Sequence, residues 1–378
     1  MRERETNSPK RILVTADAVG GVWTYALDLA RGLEPFGVEI FLATMGPLPS
    51  SDQLKEARSI RNLRLFKSEY KLEWMDESRK DVKRAGHWLL SLEKRLMPDI
   101  VHLNGYVHGA LPFEVPKVVV GHSCVLSWWR AVKRSQPPSH LQEYREMVRK
   151  GLRSAEIVIA PTAAMMSELE ENYGRLRRKA VIKNGSQINN ISSKEKSDII
   201  LAAGRVWDEA KNISLLTRIA DRVPGCLFIA GDDADPSRRQ TEDTGKAIRL
   251  GRLSKVDLAR HMNEAAIFAA PALYEPFGLA PLEAALSGCA LVLGDLPSLR
   301  EVWGEAAVFV SPTDEEMWCR TLTELMNDKS KLRRYSAMAE RRAMQMSVDR
   351  MAAAYHRIYV DLTEHRKKIA REETTVCA

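Results

Sequence analysis

Short apolar runs alternate with helical stretches along this chain, and the alternation runs twice. Residues 11–17 (RILVTAD), 39–44 (EIFLAT), 99–104 (DIVHLN), 117–123 (KVVVGHS) and 156–162 (EIVIAPT) read as buried strands. Between them lie segments with apolar residues at helical spacing, such as Val22, Tyr25, Ala26, Leu29 and Leu33, stopping near Gly37. The pattern restarts with 198–205 (DIILAAGR), 226–232 (CLFIAGD), 247–252 (AIRLGR), 266–272 (AIFAAPA) and 289–295 (CALVLGD). Near-continuous apolar strands separated by helices need both sheet faces covered, so the pattern predicts mostly parallel sheets. The expected fold is α/β, with two doubly wound Rossmann-like domains.

The polar, aperiodic stretch 189–198 (NNISSKEKSD) reads as the linker. Residues 1–188 then form the first domain and 189–348 the second. A helix over about 349–370 carries a stripe of Met351, Ala354, Tyr355, Ile358, Tyr359 and Leu362. The 378 residues suit two domains of ordinary size. Cys124, Cys226, Cys289, Cys319 and Cys377 are scattered without CxxC spacing. Most of them read as small core residues in a reducing, cytoplasmic setting, and none as a metal ligand. The sequence shows no signal peptide and no apolar run of membrane-spanning length.

The net charge of +7 belongs to the first half, where residues 1–190 hold 30 Lys+Arg against 22 Asp+Glu. That is either a solvated basic surface or a face attracted to an anionic partner, including the inner face of a membrane. Nucleic acid is not expected, because no helix-turn-helix, zinc-finger or RNP signature is present. Residues 127–150 combine Trp128 and Trp129 with a basic neighbourhood. They read either as a packed helix or as an acceptor-facing and interfacial segment.

In a doubly wound sheet, ligands bind beyond the carboxyl ends of the strands. Gly20-Gly21, Asn104-Gly105, His122, Gly204-Arg205, Gly231 and Glu275 all fall there. Neither ADAVGGVWT nor GRVWDEAKN is GxGxxG, so a nicotinamide or flavin cofactor loses its main support. Gly20-Gly21 makes a tight strand-to-helix turn or a phosphate loop. Arg205 and Lys211 beside a helix start are two surface cations or a diphosphate clamp. His122 ends an apolar run and is structural or substrate-facing, and His102, inside a strand, reads as structural. Asp233 and Asp235 form a D-x-D pair in a polar loop, a weak metal signal.

The most specific stretch is 274–295 (YEPFGLAPLEAALSGCALVLGD). Pro276-Phe277-Gly278 makes a turn, and a helix starts near Leu279 with Pro281 in its first turn. The N–H groups of Gly278 and Leu279 then face a phosphate at the positive end of the helix dipole. Glu283, about one turn on, suits ribose hydroxyls, and Glu275, before the turn, suits a sugar.

At these residues the sequence resembles the retaining glycosyltransferases of family 4, the group 1 glycosyltransferases of GT-B architecture. The resemblance spans nearly the whole chain. It includes Gly20-Gly21, GHS at 121–123, KNG at 183–185, Gly204-Arg205 with Lys211, AGD at 230–232, LGRL at 250–253 and EPFGLAPLE at 275–283. It departs at Ser186-Gln187, where an apolar residue and Asp are usual, and in RVWDEAKN, which lacks a Lys-Gly ending.

The resemblance implies two domains facing across a cleft. The N-terminal one would bind a glycan, lipid-linked or small-molecule acceptor. The C-terminal one would bind a nucleoside-diphosphate sugar, and the last helix would cross back to the first domain. It implies that Arg205 and Lys211 bind the diphosphate, with Gly278 and Leu279 adding N–H groups after Phe277. Glu283 would hold the ribose, and Leu253 would line the base pocket. Gly21 would approach the phosphates or the acceptor, and His122 and Glu275 would contact the transferred sugar. No metal or other cofactor is expected. A sugar-nucleotide epimerase or hydrolase, or a non-catalytic relative, would share the same fold.

Overall fold

The structure, a computed structural model, describes residues 8–187, 196–231 and 246–376. Most of the 189–198 stretch, Asp232, Asp233, Asp235 and Cys377 lie outside the described residues. The chain divides into two compact units. Unit 1 comprises residues 1–125, 137–185 and 348–378, and unit 2 comprises 126–136 with 186–347. The unit borders thus depart from a single cut near residue 190, because the segment 126–136 groups with unit 2.

Unit 1 is built on seven strands: β1 (Arg11–Asp17), β2 (Glu39–Met45), β3 (Leu63–Lys67), β4 (Ile100–Leu103), β5 (Lys117–Val120), β6 (Ile157–Ala160) and β7 (Lys179–Val181). Their order in the sheet is β3-β2-β1-β4-β5-β6-β7. Every pairing is parallel. Strand β1 pairs with β2 on one side, Val14 opposite Leu42, and with β4 on the other, Val14 opposite His102. The order therefore reverses between β1 and β4, and the loops leaving those two strands diverge. A doubly wound sheet has its ligand crevice at such a point.

The helix Val348–Val376 belongs to unit 1. Met351, Ala352, Tyr355, Tyr359 and Leu362 are buried in the same core as Ile12, Val14, Tyr25 and Leu29. Burying large apolar side chains such as Met351 and Leu362 stabilises the unit by roughly 1.5–3 kcal/mol each.

Unit 2 repeats the design with six parallel strands: β8 (Ser197–Ala203), β9 (Cys226–Ala230), β10 (Ile248–Gly251), β11 (Ala265–Ala270), β12 (Ala290–Gly294) and β13 (Val308–Val310). The order is β10-β9-β8-β11-β12-β13, so the reversal falls between β8 and β11. One face packs Ile213, Leu216, Trp318 and Leu322 against the sheet. The other packs Phe277, Leu282, Leu286 and Trp303. Among the described residues, no helix is long and apolar enough to cross a membrane.

Candidate functional site

In unit 2 the loops leaving β8 and β11 meet at the point of reversal. Leu273 N–H donates to the Ala210 carbonyl at 2.8 Å. Asn212 stands at the N-cap position after the loop that leaves β8. It adopts a left-handed conformation, and its side chain makes no cap hydrogen bond to the helix Ile213–Ile219 that follows. Its Nδ2 donates instead to the carbonyls of Pro271 at 3.0 Å and Pro312 at 2.8 Å. One side chain thus ties together the segments that follow β8, β11 and β13.

Arg205 and Lys211 project from the first of these loops. Arg205 pairs with Asp208 at 2.5 Å and lies over the Trp207 ring at 5.2 Å. Asp208 is buried, and its other oxygen accepts from Ala210 N–H at 3.0 Å. Lys211 Nζ donates to Glu275 Oε2 at 2.7 Å. Strand β8 can end in this loop because Gly231, at the end of β9, has no side chain. A Cβ there would lie 1.7 Å from the Gly204 carbonyl oxygen.

The stretch after β11 makes its turn as the sequence suggests, and the helix Leu279–Leu286 follows. Gly278 is its N-cap at φ 88, a left-handed conformation in which a Cβ is disfavoured. Two details differ from the sequence reading. The Gly278 N–H is already taken by Glu275 Oε1 at 3.0 Å, so it does not stand open to a phosphate. The Phe277 ring is buried in the core, so its side chain cannot face a ligand. Ser298 Oγ, from the helix Pro297–Trp303 after β12, donates to the Glu275 carbonyl at 2.5 Å and ties down the turn. Glu283 is partly buried on the helix, and Leu253, beyond β10, packs against the edge of the same core.

The Glu275 carboxylate thus bridges an ammonium and a backbone N–H at a helix start. These are the donors a phosphate oxygen would use.

In unit 1, Gly20 and Gly21 are exposed at the N-terminus of the helix Gly21–Leu33. That terminus has no side-chain cap. The loop before it is set by Asp17, whose Oδ1 accepts from Val19 N–H at 2.8 Å.

His122 follows β5 and is partly buried. Its Nε2 lies 2.8 Å from Asn104 Oδ1, and its ring meets the Tyr25 ring edge-on at 4.4 Å. Removal from water, helped by the neighbouring His102, pushes its pKa down to about 3. It is therefore neutral at physiological pH. His102 is fully buried in β4 and contacts Asn104, Tyr25 and Tyr359. His108 is buried, with Nε2 3.0 Å from the Val82 carbonyl.

Sequence reasoning passed over Asn104 as a contact of His122, and Glu73 and Trp74 altogether. The Glu73 carboxylate, in the loop after β3, accepts from the N–H groups of Tyr106 at 3.0 Å and Val107 at 2.9 Å. Trp74 beside it is 50% exposed, which leaves much of a large apolar ring in water. The signal was there in the pair Glu73-Trp74 after an edge strand, but β3 itself was not legible. Trp128 and Trp129 are engaged within unit 2. Lys133 lies over the Trp128 ring at 5.8 Å and pairs with Glu209 at 2.7 Å, and Trp129 Nε1 donates to Ser135 at 3.1 Å. No cluster of metal-ligating side chains occurs among the described residues.

Comparison with known proteins decides what these loops belong to. Residues 19–189 match the family described as Glycosyltransferase Family 4, and residues 197–328 match Glycosyl transferases group 1. The chain belongs to the group 1 glycosyltransferases of family 4.

This glycosyltransferase is 23% identical to the glycogen synthase of Mycobacterium tuberculosis over 368 residues, covering 86% of each chain. It is 25% identical over 194 residues to the O-antigen chain mannosyltransferase RfbU of Salmonella typhimurium, covering 48% of this chain and 55% of that one. Among solved structures, the sucrose-phosphate synthase of Thermosynechococcus elongatus matches with a TM-score of 0.75 at 17% identity. That match covers 94% of this chain and 100% of the other. Anabaena HepE in complex with UDP-glucose matches with a TM-score of 0.73 at 16% identity, covering 95% and 99%. The fold of this glycosyltransferase is GT-B, two Rossmann-like domains.

Proposed function

We propose that this glycosyltransferase moves a hexosyl group from a nucleoside-diphosphate sugar to a glycan, lipid-linked or small-molecule acceptor, with retention at the anomeric carbon. The observation that carries the reading is the bridge of Glu275 between Lys211 Nζ and Gly278 N–H. An internal carboxylate marks a place where an oxyanion is stable. The diphosphate of the donor displaces it and takes Lys211, the Gly278 and Leu279 N–H groups and Arg205 as partners. Glu275, once released, turns to the hydroxyls of the sugar. Glu283 receives the ribose hydroxyls, and Leu253 borders the base.

Departure of the nucleoside diphosphate builds negative charge on its phosphates. Two cations and a helix N-terminus, already oriented, stabilise that charge without reorganisation. They supply the electrostatic role that a divalent cation fills elsewhere. A neutral His122 accepts a hydrogen bond from a sugar hydroxyl. We assign acceptor binding to unit 1, where the exposed indole of Trp74 offers an apolar face to a pyranose ring. With no obvious covalent nucleophile assigned, front-face attack is favoured, the leaving phosphate taking the acceptor proton.

A thermal-shift panel with UDP, GDP, ADP and their sugar conjugates, with and without magnesium, tests the donor site. A ligand that binds only the folded state raises its stability with the logarithm of concentration over Kd. The expected result is a shift with one nucleotide, independent of magnesium and lost in Glu283→Ala. No shift with any of them would overturn the assigned donor site, and a shift that requires magnesium would overturn metal independence.

A further inference from the structure

The side chain of Asn104 is fixed at both ends, and its orientation decides where the protons on two histidines lie. Asn104 N–H donates to Thr15 Oγ1 at 2.9 Å, and Asn104 Nδ2 donates to the Thr15 carbonyl at 2.7 Å. A carbonyl only accepts, so the amide NH2 must point at Thr15 and Oδ1 must point away. Oδ1 faces two imidazole nitrogens, His122 Nε2 at 2.8 Å and His102 Nε2 at 3.1 Å. Oδ1 also only accepts, so both Nε2 atoms carry a proton.

His102 Nδ1 is then an acceptor, and the Tyr359 hydroxyl donates to it at 2.6 Å. His122 Nδ1 is likewise an acceptor, and it has no hydrogen-bond partner among the described residues. Burial keeps both rings neutral, with His102 pushed down to about 4.

We propose that Asn104 is a positioning residue that locks His122 in the Nε2–H tautomer and so presents its Nδ1 lone pair to a substrate hydroxyl. The chain of contacts runs Thr15–Asn104–His122 on one branch and Asn104–His102–Tyr359 on the other. The second branch anchors the arrangement to the C-terminal helix of the same unit. Asn104 touches neither substrate nor reacting atoms in this scheme. The tautomer follows from the hydrogen bonds alone, whereas its use rests on the role given above to His122.

The test is spectroscopic and does not depend on activity. The full chain, labelled with ¹⁵N-histidine, is examined at neutral pH by two-bond ¹H–¹⁵N correlation, with His122→Ala identifying the His122 signals. The expected pattern is a neutral His122 protonated at Nε2. A His122 protonated at Nδ1, or charged at neutral pH, would overturn the proposal in the wild-type protein with no variant needed.

Asn104→Asp provides the second arm. A carboxylate in place of the amide stabilises the imidazolium, so the His122 titration should move up by more than one pH unit while the far-UV spectrum stays native. An unchanged titration in a folded variant would also overturn it. If the tautomer is as proposed but His122→Ala turns over UDP-glucose as fast as the wild type, the role of His122 fails while the proton arrangement stands.

Discussion

Lys211 Nζ and Glu275 Oε2 lie 2.7 Å apart although 64 residues separate them in sequence. The pair joins the loop after β8 to the loop after β11, and Glu275 also accepts from Gly278 N–H. Glu275 therefore competes with any anion that enters. Glu275→Gln removes that competition and the sugar contact together. The expected outcome is opposite movement of two constants. UDP binds about tenfold tighter, equivalent to roughly 1.4 kcal/mol, while turnover falls. Isothermal titration with UDP checks the first part, and weaker binding in a folded Glu275→Gln protein would refute displacement.

Arg205 and Lys211 are partly exposed, with side-chain exposures of 39% and 27%. Arg205 pairs with the buried Asp208, which keeps the Ala210 N–H when the arginine is removed, and Lys211 pairs with the partly buried Glu275, which keeps the Gly278 N–H. Lys211→Ala and Arg205→Ala should each cut turnover by on the order of 10²–10³, the usual loss of one positioned charge. Melting temperatures should change little. Steady-state kinetics beside thermal melts decide it, and near-normal activity in both variants would remove the diphosphate clamp.

Gly231 should tolerate no side chain. Its Cβ would sit 1.7 Å from a backbone oxygen, which cannot swing aside as a flexible side chain would. Gly231→Ala is expected to lower unfolding stability by roughly 3 kcal/mol or more, or to force β8 and β9 apart and displace Arg205. Denaturant unfolding combined with nucleotide binding separates these results. A variant with wild-type stability and affinity would show that the backbones have room to separate.

The buried histidines predict an acid-side loss of stability. Burial pushes His102 down to about 4, whereas an unfolded chain binds the proton near its ordinary value of about 6.5. Between these pH values the unfolded state holds a proton that the folded state must release. Stability is therefore lost as pH falls from about 6.5 to about 4, with His102 alone adding a slope of about 1.4 kcal/mol per pH unit. Urea unfolding at intervals from pH 7 to pH 5 measures the slope. It should flatten in His102→Gln, and an identical slope there would show that other groups set the acid limb.

Much of the fold was legible because buried parallel strands are apolar runs. RILVTAD, DIILAAGR and CALVLGD could hardly be anything else. The strands that were missed are edges. In β3 (LRLFK) every residue is exposed or only partly buried, and β7 and β13 are three residues long. With one side unpaired, such a strand needs no continuous apolar run. The helix start at Leu279 was legible because glycine and proline act through local backbone geometry.

The sequence by itself determined the residue types, the alternation and the loops on which the candidate residues ride. Only the tertiary structure decided their partners. That Glu275 holds Lys211, that Asn212 joins three loops instead of capping a helix, and that Asn104 sets the protons of His122 and His102 depend on which strand lies beside which. The order of strands is fixed by crossovers through helices and by packing on both sheet faces. Those are long-range effects, and no window of neighbouring residues contains them.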